Sequence, residues 1–214
     1  MKWIDDMTVG RKLAAGFGTV LAAIAVMGAV VIMNLMALDQ AGAKRGLESQ
    51  ISLKTSEAEF YMARQENSFR GYLVTGDGYY LERLAAHREN FKKRLEGLRG
   101  DLPADRQEPV NEAEKAADEW HKQVVEQAGV LIASGRGSEA LLLARRDGVS
   151  DTFIGPVEEQ LELLEADGAA QLQAATTAQE AASRTATIAL IVGLIAALAA
   201  AVGAGWVATR AIVG

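Results

Sequence analysis

Two stretches of the chain, residues 13–38 and 185–209, contain no Asp, Glu, Lys, Arg or His. Each exceeds the roughly 20 apolar residues that carry a helix across a bilayer, so the pattern predicts two transmembrane helices. Between them, apolar residues return every three or four positions and no alternating strand pattern occurs. Leu47, Ile51, Ala58, Met62, Phe69 and Tyr72 mark one face of a first helix running to about Val74 without a strong breaker after the first apolar stretch. Thr75-Gly76-Asp77-Gly78 is a turn, because glycine accepts positive φ and Asp bonds nearby backbone. A second helix from about Tyr79 places Leu81, Leu84, Phe91, Leu95 and Leu98 on one face and ends at Gly100-Asp101-Leu102-Pro103.

The third helix carries Val110, Ala113, Ala117, Trp120, Val124, Gln127 and Leu131 as its seam and stops at Ser134-Gly135-Arg136-Gly137. After a short helical piece from Ser138 to Arg146, the last helix is expected to start at Thr152 or Pro156. Its seam runs through Ile154, Val157, Leu161, Leu164, Gly168, Leu172, Ala175 and Ala182 towards the second apolar stretch. The fold class is all-α: an antiparallel four-helix bundle between two transmembrane helices, with its first and last helices continuous with the spans. The expected division is 1–12 cytoplasmic, 13–38 span, 39–184 periplasmic sensor, 185–209 span and 210–214 the start of a relay. A bundle core filled by Leu, Ala, Trp and Tyr leaves no obvious cleft.

Charge sharpens this layout. The 214 residues include 22 Lys and Arg and 28 Asp and Glu, giving a net charge of −6. Residues 39–184 alone hold 18 basic and 26 acidic side chains, which argues against nucleic acid as a partner. Arg11, Lys12 and Arg210 flank the outer ends of the spans, so basic-residue bias places both termini in the cytoplasm, although Lys44, Arg45 and Arg184 weaken the contrast. Trp3 and Trp206 suit the membrane interface. The first apolar stretch can also be read as a signal peptide cleaved near Ala41-Gly42-Ala43, but it is longer than such segments usually are. Gly193, Ala197, Ala201 and Gly205 form a small-residue stripe that permits close helix approach, or simply reflect an alanine-rich span.

The absence of cysteine excludes disulfides and thiolate sites. No phosphate-binding loop, paired-histidine zinc helix or nucleophile elbow is present, so neither a catalytic set, a metal site nor a cofactor is expected. The two histidines, His87 and His121, fall on different helices and read as ordinary surface or partly buried residues. Glu158-Glu159 and the Glu112, Glu114 pair read as solvating carboxylates. Arg64, Arg70 and Arg88 either hold a carboxylate or phosphate ligand or pair with Glu59, Glu66 or Glu82 to fix helix register.

Arg70-Gly71-Tyr72-Leu73-Val74-Thr75-Gly76-Asp77, followed by Gly78-Tyr79-Tyr80-Leu81, resembles the signature of the third CHASE-type sensor domain, a family of extracellular sensors associated with cyclases and histidine kinases. Val74 departs from that family's usual Leu. The signature residues Arg70, Gly71, Tyr72, Thr75, Gly76 and Asp77 thereby become candidate site residues. Met7-Thr8-Val9-Gly10-Arg11-Lys12-Leu13 with Gly16-Phe17-Gly18, and Thr209-Arg210-Ala211-Ile212, are similar to methyl-accepting chemotaxis receptors; the latter resembles the opening of a HAMP relay.

The resemblance implies the sensory part of a chemotaxis receptor, homodimeric and able to join larger arrays, stimulated by a small molecule or a periplasmic protein. Alternatives are the sensor half of a histidine kinase or cyclic-dinucleotide cyclase, and a membrane-tethered interaction protein that carries no switch. An enzyme is the least favoured class.

Overall fold

The computed structural model describes residues 8–145 and 148–213; Trp3, and with it most of the expected N-terminal segment, lies outside them. The elements are α1 (Val9–Thr75), α2 (Gly78–Asp101), a 3-10 turn (Ala104–Arg106), α3 (Glu108–Trp120), a π segment (His121–Glu126), α4 (Gln127–Ala133), α5 (Gly137–Leu143) and α6 (Val149–Val213). The chain divides into two compact units, Gly46–Ala174 and the combination of Met1–Arg45 with Ala175–Gly214. The long terminal helices α1 and α6 contribute to both.

In the unit of terminal segments, α1 and α6 pair antiparallel. A Cβ on Gly16 would meet Ala204 at 3.6 Å, one on Gly193 would press on Met27 at 2.8 Å, and Gly42 faces Gln179. Gly193 is therefore occupied by the neighbouring helix of its own chain. Both helices are long and apolar enough to cross a membrane, and no residue in their most apolar windows is buried. The polar side chains Thr19, Asn34, Thr187 and Thr209 each donate to the carbonyl four residues earlier. Such back-bonding satisfies hydroxyl and amide groups inside an otherwise apolar run.

In the bundle unit, the α1 seam is Glu48, Ile51, Thr55, Ala58, Met62, Gln65 and Phe69, spaced alternately three and four apart and all buried. Leu47, expected in this seam, is 40% exposed because the three-four register passes through Glu48 instead. Polar seam residues are accommodated locally: Thr55 Oγ1 donates to Ile51 O at 3.0 Å and Gln65 Nε2 to Met62 Sδ at 3.6 Å. On α2, Leu84, Phe91, Leu95 and Leu98 are buried, whereas Leu81 is 38% exposed.

The third helix departs from its expected seam at the π segment. Val110, Ala113, Ala117, Trp120 and Val124 are buried, but burial then moves to Val125 and Ala128, and Gln127 is exposed. A π turn inserts one extra residue, which rotates the following turns past the α-helical register. Phe69 meets Trp120 edge to face at 5.8 Å, and Trp120 Nε1 donates to Ser150 Oγ at 3.0 Å. That buried bond and the burial of Ile154 hold the first turn of α6 in place. The helix consequently starts at Val149, with Pro156 inside it, rather than at Thr152 or Pro156. The last-helix seam from Ile154 to Leu164, with Gly168, is buried as its spacing predicts.

Candidate functional site

The signature segment builds the hairpin between α1 and α2. Gly76 sits at φ 68°, the left-handed conformation that ends a helix, and its N–H donates to Tyr72 O at 2.8 Å. Thr75 Oγ1 donates to Gly71 O at 2.8 Å and accepts from Asp77 N at 3.2 Å. Asp77 caps α2 by accepting from Tyr79 N at 2.9 Å. Gly71 has a separate reason: a Cβ there would lie 2.5 Å from the Tyr80 ring. The Tyr80 ring thus takes the space a side chain at Gly71 would need, and Tyr79 packs edge to face on it at 5.5 Å.

The three candidate arginines are engaged separately. Arg64 lies over the Phe60 ring at 5.0 Å, and Arg70 is paired with Glu66 one turn away. Arg88 reaches across to α3, donating to Asp118 at 2.9 Å beside Lys92 at 3.0 Å. Although burial pushes the Asp118 carboxyl up, hydrogen bonds from Arg88 and Lys92 hold it below the usual carboxylate range. His87 is pushed down by burial and by Arg83 and Arg64. His121 is pushed down chiefly by burial, with Arg88 adding to the effect. Among the described residues, no group of three or more His, Asp or Glu is placed to hold a metal ion. Trp206 is 62% exposed, with Arg210 over its ring at 5.2 Å.

Two features escaped the sequence reading. The first is a clamp in the α2–α3 connector. Arg106 donates Nη1 and Nη2 to the two oxygens of Glu48 on α1, at 3.0 and 3.2 Å, and Nε to Asp167 on α6 at 2.6 Å. The Glu48 side chain is only 4% exposed, whereas that of Asp167 is 42% exposed. Glu48 standing in a heptad position was the available signal, since an acid there requires a cationic partner. Lys54 secures the same connector, bonding Asp101 at 2.6 Å and Gly97 O at 3.2 Å. Gln107 completes it by donating to Arg99 O and Leu102 O, both at 2.9 Å.

The second is a groove of about 360 Å³ between α1 and α6, where no cleft was expected. It is lined by buried Met62, Ile154 and Leu161, by exposed Ala63, and by the carboxylates Glu59, Glu66, Glu158 and Glu162. Glu59 is raised by burial first, then by Glu165 and Glu162. Glu66 is raised by burial despite its Arg70 partner, with Glu158 and Asp151 adding to the rise. Glu158 is exposed, as a solvating carboxylate is, and also lines the groove, while Glu114 pairs with Arg99 and Glu112 with Lys115.

The bundle unit is all-helical, its first and last helices continue into membrane-length apolar stretches, and ion pairs tie neighbouring helices of the bundle together. A model of the CHASE3 domain family matches residues 47–178, more than half of the chain, and the chain belongs to that family. No curated protein and no solved structure matches it.

Proposed function

We propose that the chain is the sensory, membrane-anchored portion of a chemotaxis receptor, acting without catalysis or cofactor of its own. The observation that carries this reading is that the CHASE3 match is bracketed by α1 and α6, the two helices that also hold the membrane-length apolar stretches. A stimulus in the bundle that favours one arrangement of α1 and α6 over another is then passed along unbroken helix. Shifts of about 1–2 Å are enough for such switching, provided the stimulus has different affinity for the two arrangements. The basic residues Arg11, Lys12 and Arg210 support a periplasmic sensor with both termini in the cytoplasm of a bacterial inner membrane. Similarity of the flanking segments to chemotaxis receptors supports a HAMP relay following the second span, and a homodimer able to join receptor arrays. The stimulus is a small molecule or a periplasmic protein.

The test uses the cysteine-free chain fused through a HAMP relay to a kinase-controlling receptor module. A cysteine at Ser138 is expected to react with an impermeant maleimide from the periplasm, and one at Thr209 only after lysis. Tethering α1 to α6 by a Met27→Cys and Gly193→Cys disulfide is expected to lock the kinase output. Periplasmic labelling of Thr209→Cys would overturn the orientation; an output indifferent to the tether would overturn the relay.

A further inference from the structure

Among the described residues, the α1–α2 and α2–α3 contacts of the bundle unit are charge-compensated. Lys54 with Asp101 and Arg94 with Glu57 join α1 to α2, and Arg88, Lys92 and Arg99 with Asp118 and Glu114 join α2 to α3. Between α1 and α6 the arrangement differs. The groove there sets Glu59 and Glu66 against Glu158 and Glu162, with Glu165 and Asp151 close enough to act on them. Arg70, a cation beside this groove among the described residues, comes from α1 itself and is engaged by Glu66. Like charges on partly desolvated facing helices push them apart.

Besides the apolar core, α1 and α6 are tied by Arg106, which belongs to neither helix. Its guanidinium bonds Glu48 of α1 and Asp167 of α6 at once. The two arms are unequal. Breaking the Glu48 arm would strand a carboxylate whose side chain is 4% exposed, a costly state. The Asp167 arm, with its carboxylate 42% exposed, can exchange its partner for water at small cost.

We propose that Glu48, Arg106 and Asp167 form a one-sided latch: the α2–α3 connector stays fixed to α1 and releases or holds α6, thereby setting the spacing of the two helices against the carboxylates of their groove. This device is a property of the bundle unit and does not depend on which module follows the second span. It makes the connector, far in sequence from the hairpin signature, the place where a stimulus gains most leverage on α6.

The test is a spin-label distance measurement on the full chain in lipid nanodiscs. Labels at Ser49→Cys on α1 and Ala170→Cys on α6, both exposed positions, report the spacing beside the latch. Asp167→Asn is expected to lengthen the distance by about 1–2 Å, the scale of helix shifts in switching, while helical content is retained. Adding Glu158→Gln and Glu162→Gln to Asp167→Asn is expected to restore the original distance. Lys54→Met, which cuts the neighbouring Lys54–Asp101 tie without touching the latch, is expected to leave it unchanged. An unchanged distance in Asp167→Asn overturns the latch, as does an equal shift in Lys54→Met, which would mark general loosening. Failure of the glutamine pair to restore spacing overturns the groove carboxylates as the opposing force.

Discussion

At the residue scale, the informative side chains are charged groups whose surroundings differ from water. Arg106 is the clearest case, because its removal leaves Glu48 buried without a counter-charge. Arg106→Ala is therefore expected to destabilise the bundle by about 3 kcal/mol, read from urea unfolding followed by circular dichroism. Arg64, stacked on an exposed Phe60, should cost far less on truncation. The glutamates of the groove set a pH dependence whose sign is fixed. Glu59 and Glu66 are raised above the ordinary glutamate value, so the folded chain binds these protons more tightly than the unfolded chain. Their contribution is fully present below the ordinary value and is lost as pH rises through the raised values. Asp118, held low, works the opposite way: its contribution is present above its unfolded value and lost as pH falls through the lowered one. His87 and His121, both held low, take stability away over the range from neutral towards the ordinary glutamate value, so the groove is read as a difference between two chains. The melting temperature of the chain relative to its Glu59→Gln, Glu66→Gln variant is expected to rise as pH falls through that range, while both chains share the histidine and acid-side losses.

At the element scale, the signature turn shows how much of a motif is structural. Gly71 serves Tyr80, Gly76 serves a left-handed helix end, and Thr75 and Asp77 serve the two helix termini. Gly71→Ala is expected to cost about 1–3 kcal/mol through overpacking on the Tyr80 ring, measured by thermal unfolding. Combining it with Tyr80→Ala should recover part of that loss, since the clash disappears with the ring. Turn residues were legible in the sequence because backbone conformation selects Gly and Asp at fixed offsets. The π segment was not legible: His121 to Glu126 contains only ordinary helix residues, and the extra residue shows only in the burial of Val125 and Ala128 in place of Gln127. The early start of α6 was hidden similarly, since Pro156 reads as a helix start unless Ser150 is known to meet Trp120.

At the scale of the whole molecule, the pairing of the terminal segments can be checked independently of any stimulus. Gly16 faces Ala204 and Gly193 faces Met27, an antiparallel match that the small side chains permit. A Met27→Cys, Gly193→Cys chain is expected to form its disulfide within one chain on mild oxidation in membranes, seen as a mobility change without dimer formation. Cross-linking mainly between copies would show that Gly193 serves the dimer and not the span pair. The CHASE3 match covers residues 47–178 and thus includes both partners of the latch, Glu48 and Asp167.

The all-α class, the two apolar stretches, the hairpin signature and most of the bundle seams are legible in the residues alone. All of these rest on local quantities: the length of an uncharged run, three-four periodicity, and the φ that glycine allows. Which charges meet across helices follows from the packing of the bundle. Arg106, Glu48 and Asp167 lie 58 and 61 residues apart along the chain, and the facing of Glu59 and Glu66 with Glu158 and Glu162 depends on how α1 and α6 are turned. Coulomb interactions act through space, so the seam position of Glu48 signalled a buried acid but not which cation would meet it.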